Sequence, residues 1–216
     1  MPISLRGPAA QQALEAAGAR RLWNESFFFS APQLKRGSLG SVSDLPQVQV
    51  AAAKLALRYA TAADLKAAAG AAVDSGIVTP DIAALATLRD DTLAEAEPLF
   101  RKVLDDLQLT PPSTSTAVWI LLRVQIRAIA EGSVAVEEGL QGVMGIFYSG
   151  DLHAQSREYV GDSHDIQRLV GLYWEIRDLE THATEVDFTQ RYGAALQERR
   201  TEAIGRANTW LADHAA

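Results

Sequence analysis

The most apolar part of the chain is a helical hairpin predicted between Ser113 and Met144. In its first arm, large apolar residues recur mainly three and four positions apart, as on one face of a helix: Val118, Leu121, Leu122, Val124 and Ile129. Gly132 is expected to end this arm, and Ser133 to cap the second arm. The second arm has its own apolar face, made of Leu140, Val143, Met144 and Phe147. We therefore expect the flanking helices to pack on this hairpin.

The same helical spacing continues on both sides of the hairpin. Thr61 with Asp64, and Thr79 followed by Pro80, are typical signals for the first turn of a helix. Further helices are predicted from Pro8 to about Asn24, Pro46 to about Ala60, Thr61 to Gly76, Pro80 to Leu88, about Glu97 to Leu107, Ile166 to Leu179, and about Glu185 to Ala212. The fold class is therefore all-α, a single domain of about eight or nine helices packed as antiparallel helical hairpins.

Two of these boundaries are predicted from residues that disfavour helix interiors. Proline lacks a backbone N–H, so Pro98 is placed in the first turn of a helix that begins at about Glu97. The segment from Thr181 to Thr184 is expected to end the helix that starts at Ile166.

The chain is predicted to divide into an N-terminal helix with a basic Ser/Gly/Pro-rich linker, residues 1–45, and a helical-bundle body, residues 46–216. Residues 1–60 carry a net charge of +4, and the remainder carries −11. The consecutive Phe27, Phe28 and Phe29 cannot all face one way on a regular element. We favour a short anchor over the core, and the alternative is an exposed partner-binding patch.

Composition narrows the function classes. The chain has 48% hydrophobic and 22% charged residues, as soluble globular proteins do, and a net charge of −7 argues against non-specific nucleic-acid binding. The absence of cysteine excludes disulfides, thiolate zinc sites and a cysteine nucleophile. There is no secretory signal, no stretch apolar enough for a membrane span and no phosphate-binding or nucleophile-elbow motif. We expect a cytoplasmic bacterial protein that is not an enzyme, has no cofactor, and binds neither nucleic acid nor membranes.

The late acidic segments contain residues that could bind a metal ion. Glu175, Asp178 and His182 follow one another at i, i+3 and i+7, so a continuous helix would align them on one face. Carboxylates and imidazole are suitable ligands for a divalent metal. However, the predicted helix end at Thr181 separates His182 from the other two residues, and a solvated acidic face is the simpler interpretation. His153 or His164, near Asp162, is a possible base without an evident nucleophile.

A protein-binding surface is the sharper of two interpretations of the same region. An aromatic side chain beside acidic residues can form a hot spot with an acidic rim that suits a basic partner. The candidate partner-binding residues are Trp174, Glu175, Asp178, Glu180, Asp162 and Asp165. The alternative is that Trp174 belongs to the core and the carboxylates only face water.

Four short motifs follow one another from Val48 onward: AAAGAAVDSGIVTPDIAALATL, PLFRKVLDDLQL, IRAIAEGSVAVEEG and VGLYWEIRDL. This pattern resembles a loose group of uncharacterised all-helical bacterial proteins, some of which are similar to immunity proteins that neutralise a partner toxin. The resemblance implies a non-catalytic protein-binding module, an immunity- or antitoxin-like inhibitor whose partner would be a basic toxin domain. The alternatives are a phage- or host-encoded interaction protein of other purpose and, third, a metal-dependent hydrolytic enzyme.

Overall fold

The structure, a computed structural model, describes residues 45–89, 92–152, 159, 161–182 and 188–215, without the side chains of residues 182 and 188–191. Over these residues the protein is all-helical, and they lie in one compact unit. The helices are α1 (Pro46–Ala56), α2 (Ala62–Asp74), α3 (Pro80–Ala86), α4 (Leu93–Asp106), α5 (Thr114–Glu131), α6 (Val136–Ser149), a 3-10 turn (Asp162–His164), α7 (Gln167–His182) and α8 (Phe188–Asp213). The predicted all-α class is confirmed.

The predictions for the first 44 residues lie outside the described part of the chain. They include the helix from Pro8 to Asn24 and the phenylalanines Phe27 to Phe29. The division between residues 1–45 and 46–216 stays a prediction for the same reason.

The predicted helix starts at Thr61 and Thr79 are confirmed. Thr61 Oγ1 accepts a hydrogen bond from the Asp64 backbone N–H at 3.2 Å, and Asp64 Oδ2 accepts one from the Thr61 N–H at 2.8 Å. Thr79 Oγ1 accepts from the Ile82 N–H, and Pro80 occupies the first turn of α3. These contacts satisfy backbone donors that have no partner within the helix itself.

The hairpin between α5 and α6 forms, but one of its predicted caps is wrong. Gly132 ends α5 in a left-handed conformation with φ of +65°, as expected. Ser133 does not cap α6, which starts after Ala135 without a side-chain cap. Both the Ser133 N–H and its hydroxyl donate to the Ala128 carbonyl, at 3.1 and 3.3 Å. Ser133 therefore stabilises the end of α5, where carbonyls otherwise lack partners.

The boundary predicted at Pro98 is wrong, whereas α7 ends at His182, within the segment predicted to end it and three residues after Leu179. α4 begins at Leu93, so Pro98 lies inside it. The carbonyl that Pro98 leaves without a donor belongs to Ala94, on the exposed side, whereas burial of Ala96 and Phe100 favours the longer helix. α7 continues through Thr181 to His182, because the Thr181 hydroxyl donates to the Arg177 carbonyl at 2.8 Å and remains satisfied within the helix.

The buried residues form two apolar clusters that share α1. One cluster lies among α1 and α5–α8, and its largest fully buried side chain is Phe147. The other lies among α1–α4 around Phe100. Ala53 of α1 belongs to the first cluster and Val48 to the second. The hairpin is therefore the packing centre for only half of the flanking helices, since α2, α3 and α4 pack on one another and α2 packs on α1.

Two glycines of α6 allow it to approach α5 closely. A Cβ atom at Gly139 would overlap the side chain of Ile129, and one at Gly142 would overlap the Gln125 amide. Both α5 side chains are buried, so they have little room to give way.

Gln125 is the polar side chain enclosed by this contact. It is 7% exposed, and its Nε2 has no hydrogen-bond partner among the described residues. A buried donor without a partner costs about 1–3 kcal/mol. Gln125→Met has a similar volume and is expected to raise the free energy of unfolding by about 1–2 kcal/mol, measured by urea denaturation.

The control for this prediction is Gln197→Met on the exposed surface of α8. It should change stability by less than about 0.5 kcal/mol. Destabilisation by Gln125→Met would show instead that the amide contributes favourably to the α5–α6 contact.

Within the described part of the chain, no helix is both long and apolar enough to cross a membrane.

Candidate partner-binding surface

Trp174 lies on the outer face of α7 and is 49% exposed. Its ring meets that of Tyr173 edge to face, with centroids 5.0 Å apart at an angle of 75°. Tyr148, at the end of α6, is also partly exposed, at 43%. The buried part of its side chain raises the pKa of its phenol, and Tyr173 raises this pKa further through an electrostatic interaction. We call Tyr148, Tyr173 and Trp174 the aromatic surface. The simpler expectation, that Trp174 is a core residue, is therefore wrong.

Glu175 is held in an ion-pair network between α7 and α8. Its Oε1 lies 2.5 Å from Arg168 Nη1, and its Oε2 lies 2.9 Å from Arg199 Nε. Glu202 receives two hydrogen bonds from Arg168, at 2.7 and 2.8 Å, and one from Arg199 at 3.0 Å. Glu198 lies at the edge of this network, 3.8 Å from Arg199 Nη1. The charge of Glu175 itself is offset by two guanidinium groups. The network joins α7 to α8 and leaves Glu175 poorly placed to attract a basic partner.

The pKa shifts within this network follow from the same contacts. The hydrogen bond from Arg168 lowers the pKa of Glu202, and Arg199 adds to this effect. The hydrogen bonds to Glu202 and then Glu175 raise the pKa of Arg168 above its usual value. Arg168 and Glu202 therefore both stay ionised near neutral pH, and the link between α7 and α8 persists there.

The other acidic residues of α7 lie on different faces. Asp178 is exposed and follows Trp174 by four residues, so it lies on the same face as the aromatic surface. Glu180 follows Trp174 by six residues, about 120° away around the helix. It lines a cavity of about 30 Å³ between α6 and α7, which is far smaller than an ordinary ligand pocket. Asp178 and Glu180 therefore do not lie on one acidic face.

Asp162 begins the 3-10 turn and Asp165 directly follows it, so both precede the start of α7, which is itself about two helical turns from Trp174. Asp162 Oδ2 accepts a 3.5 Å hydrogen bond from the Tyr159 backbone N–H. Asp165 has a left-handed backbone with φ of +56°, and its 72% exposed carboxylate lies 3.4 Å from His214 Nε2. These carboxylates belong to the turn and its contact with α8 rather than to the aromatic surface.

The helical alignment of residues that would suit a metal site is present only in part. Because α7 continues through His182, Glu175, Asp178 and His182 share one helix, contrary to the predicted break. Glu175 is already paired with two arginines, and the side chain of His182, like all of His153, lies outside the described residues. Among the residues that the structure describes, no group of three His, Cys, Asp or Glu side chains is placed to hold a metal ion.

The structure also brings together four rings that the sequence did not group. Trp119 of α5, His164 of the turn, and Trp210 and His214 of α8 form what we call the histidine–tryptophan cluster. The helical spacing of α8 predicted that Trp210 faces the core, but no local signal linked it to Trp119 or His164.

A groove of about 340 Å³ lies beside this cluster, between the start of α7 and the end of α8. Its rim mixes the carboxylates of Asp165 and Asp213 with the guanidinium groups of Arg168 and Arg206. Opposite charges are interspersed along it, so the groove has no single electrostatic preference.

No protein-family model matches this chain, and neither the curated proteins nor the solved structures contain a match. The resemblance to immunity-like proteins consequently stays a prediction.

Proposed function

We propose that this protein is a non-catalytic binding protein and that it acts as an immunity- or antitoxin-like inhibitor of a partner toxin. The observation that carries the binding proposal is the exposure of Trp174 in contact with a second aromatic ring. The motif resemblance supports the inhibitor class.

The aromatic surface has the properties of a protein-binding hot spot. Tryptophan and tyrosine are enriched at such positions because they bury much apolar area and keep a polar edge for hydrogen bonding. Trp174 also lies on a helix fixed to α8 by the Arg168–Glu175–Arg199–Glu202 network. A preformed surface loses little conformational entropy when a partner binds, and this favours affinity.

The negative charge of the protein would attract a basic partner at long range rather than form a set of direct ion pairs with it. Beside the aromatic surface, Asp178 is exposed, whereas Glu175 is neutralised within the protein. The chain as a whole carries −7. A basic toxin domain would therefore be attracted at long range, and the close contact would be mainly aromatic.

The test begins with affinity capture of the tagged full-length protein from its own host, followed by calorimetry with the captured partner. Trp174→Ala is expected to weaken binding by at least about 2 kcal/mol, roughly 30-fold, with unchanged helicity. Asp178→Lys should slow association with a basic partner and reduce its salt dependence.

Val78→Ala is the matched control, because Val78 is 62% exposed but lies in the α1–α4 half of the protein. It should leave affinity unchanged. Equal affinity of the wild type and Trp174→Ala would remove the aromatic surface from the proposal. A captured partner whose toxicity this protein does not relieve on co-expression would favour an interaction protein of other purpose.

A further inference from the structure

The histidine–tryptophan cluster joins three parts of the protein. The Trp119 ring lies 4.8 Å from that of His164, 5.9 Å from that of Trp210 and 5.4 Å from that of His214. The rings of Trp210 and His214 are stacked at 4.4 Å. These contacts hold α5, the 3-10 turn and the end of α8 together.

Hydrogen bonds fix the turn within this cluster. Trp210 Nε1–H donates to the His164 carbonyl at 2.9 Å in a buried position. Arg123 Nη2 of α5 donates to the His214 carbonyl at 3.0 Å, and His214 Nδ1–H donates to the Trp210 carbonyl at 2.8 Å. Ile166, which is fully buried, connects the turn directly to α7. The cluster therefore sets the position at which α7 begins.

His164 is the titratable group at the centre of this contact. It is 7% exposed, and its Nδ1 lies 2.9 Å from the Ser163 hydroxyl, which can donate to the neutral ring. The titratable groups that face it are Asp165, directly after the turn, and His214 on α8. α5 contributes the uncharged Trp119 and, beside His214, Arg123. Asp165 is largely exposed, so its carboxylate is screened by water and compensates a buried imidazolium poorly.

Burial lowers the pKa of His164 below its usual value; the Asp165 carboxylate opposes this shift, and His214 reinforces it. The unfolded chain, with an ordinary histidine pKa of about 6.5, therefore binds more protons than the native state just below that pH. The stabilisation from a neutral His164 is fully present above about pH 6.5 and is lost as the pH falls from there towards the native pKa.

We propose that the histidine–tryptophan cluster is a pH-sensitive contact, which we call the clasp. Protonation of His164 weakens the packing of the 3-10 turn against Trp119 and Trp210 and so displaces the start of α7. Because α7 carries Trp174, the clasp regulates the aromatic surface. That consequence rests on the proposed function, whereas the clasp itself is a property of the fold.

The test uses the full-length protein labelled with ¹⁵N. Histidine ring signals and the Trp210 indole N–H signal are followed by NMR from pH 7.5 to pH 5. We expect His164 to titrate below pH 6.5, and the Trp210 indole signal to change with the same midpoint. A titration of His164 at or above pH 6.5, or a Trp210 signal that does not respond, would overturn the proposal.

Thermal unfolding provides the second readout. Between pH 7.5 and pH 5.5 the wild-type Tm should fall by a few degrees more than that of His164→Gln, which carries no ionisable group at this position. His182→Gln, at the opposite end of α7 from the cluster, is the matched control and should retain the pH-dependent step. An equal fall in the wild type and His164→Gln would contradict the clasp, and if His164→Gln does not fold, the NMR titration of the wild type decides.

Affinity measurements with a partner distinguish failure of the clasp from failure of the proposed function. With a captured partner, the affinity of the wild type should decrease at pH 5.5, and that of His164→Gln should not. Absence of any partner would overturn the proposed function, and the clasp would still be judged by the response of Trp210.

Discussion

Phe100→Ala is expected to lower the free energy of unfolding by about 3–5 kcal/mol. Phe100 is fully buried at the centre of the α1–α4 cluster. Truncation removes its apolar contacts and leaves a cavity that the surrounding helices fill only in part. Urea denaturation followed by far-UV circular dichroism measures the change.

The control is Leu93→Ala, at the exposed start of the same helix, which should cost less than about 1 kcal/mol. A loss of similar size in the two variants would contradict the position of Phe100 in the core.

The same variant tests whether the two clusters unfold together. Trp119 and Trp210 belong to the α5–α8 half, so their fluorescence reports on the cluster that does not contain Phe100. Since α1 contributes Val48 to one cluster and Ala53 to the other, Phe100→Ala should shift the fluorescence and circular dichroism transitions equally. A fluorescence transition left at its wild-type position would show that the halves unfold separately.

Gly139→Ala is expected to destabilise the protein by about 1–3 kcal/mol, although alanine has the higher helix propensity. The added Cβ overlaps Ile129 and approaches Val134. Ile129 is buried and branched at Cβ, so it has no free rotamer into which it can move. α6 would have to move away from α5, with a loss of packing along the hairpin, and urea denaturation would report that loss.

Gly70→Ala is the matched control. Gly70 also lies inside a helix, α2, but a Cβ there would meet no atom within 4 Å. This substitution should stabilise the protein by about 0.5–1 kcal/mol, because it lowers the conformational entropy of the unfolded chain. Stabilisation by both variants would contradict the close approach of α6 to α5.

Helix positions could be read from the sequence where local chemistry decides them. The caps at Thr61 and Thr79 and the left-handed Gly132 depend on atoms a few residues apart, and all three were predicted correctly. Pro98 was misjudged because burial of Phe100 outweighed a weak local preference. Thr181 lies within the last turn of α7 because its hydroxyl donates to the Arg177 carbonyl, so the helix ends slightly later than predicted.

The candidate site could be predicted only in part. The sequence placed Trp174 beside acidic residues on a helix and left open whether it is a core residue, and the structure shows that it is exposed. Whether each carboxylate is available for a partner depends on residues far along the chain, such as Arg199 of α8, whose Nε lies 2.9 Å from Glu175 Oε2. Nothing in the local pattern at Glu175 indicates this pairing.

The sequence by itself therefore determined the all-α class, most helix positions and the apolar faces of α5, α6 and α8, since these depend on the period of the helix and on caps within one turn. Only the tertiary structure decided that α1 belongs to two clusters, that Glu175 is neutralised while Trp174 is exposed, and that His164 meets Trp119 and Trp210. These features depend on which helix faces meet, and this choice follows from the packing of side chains distant in sequence.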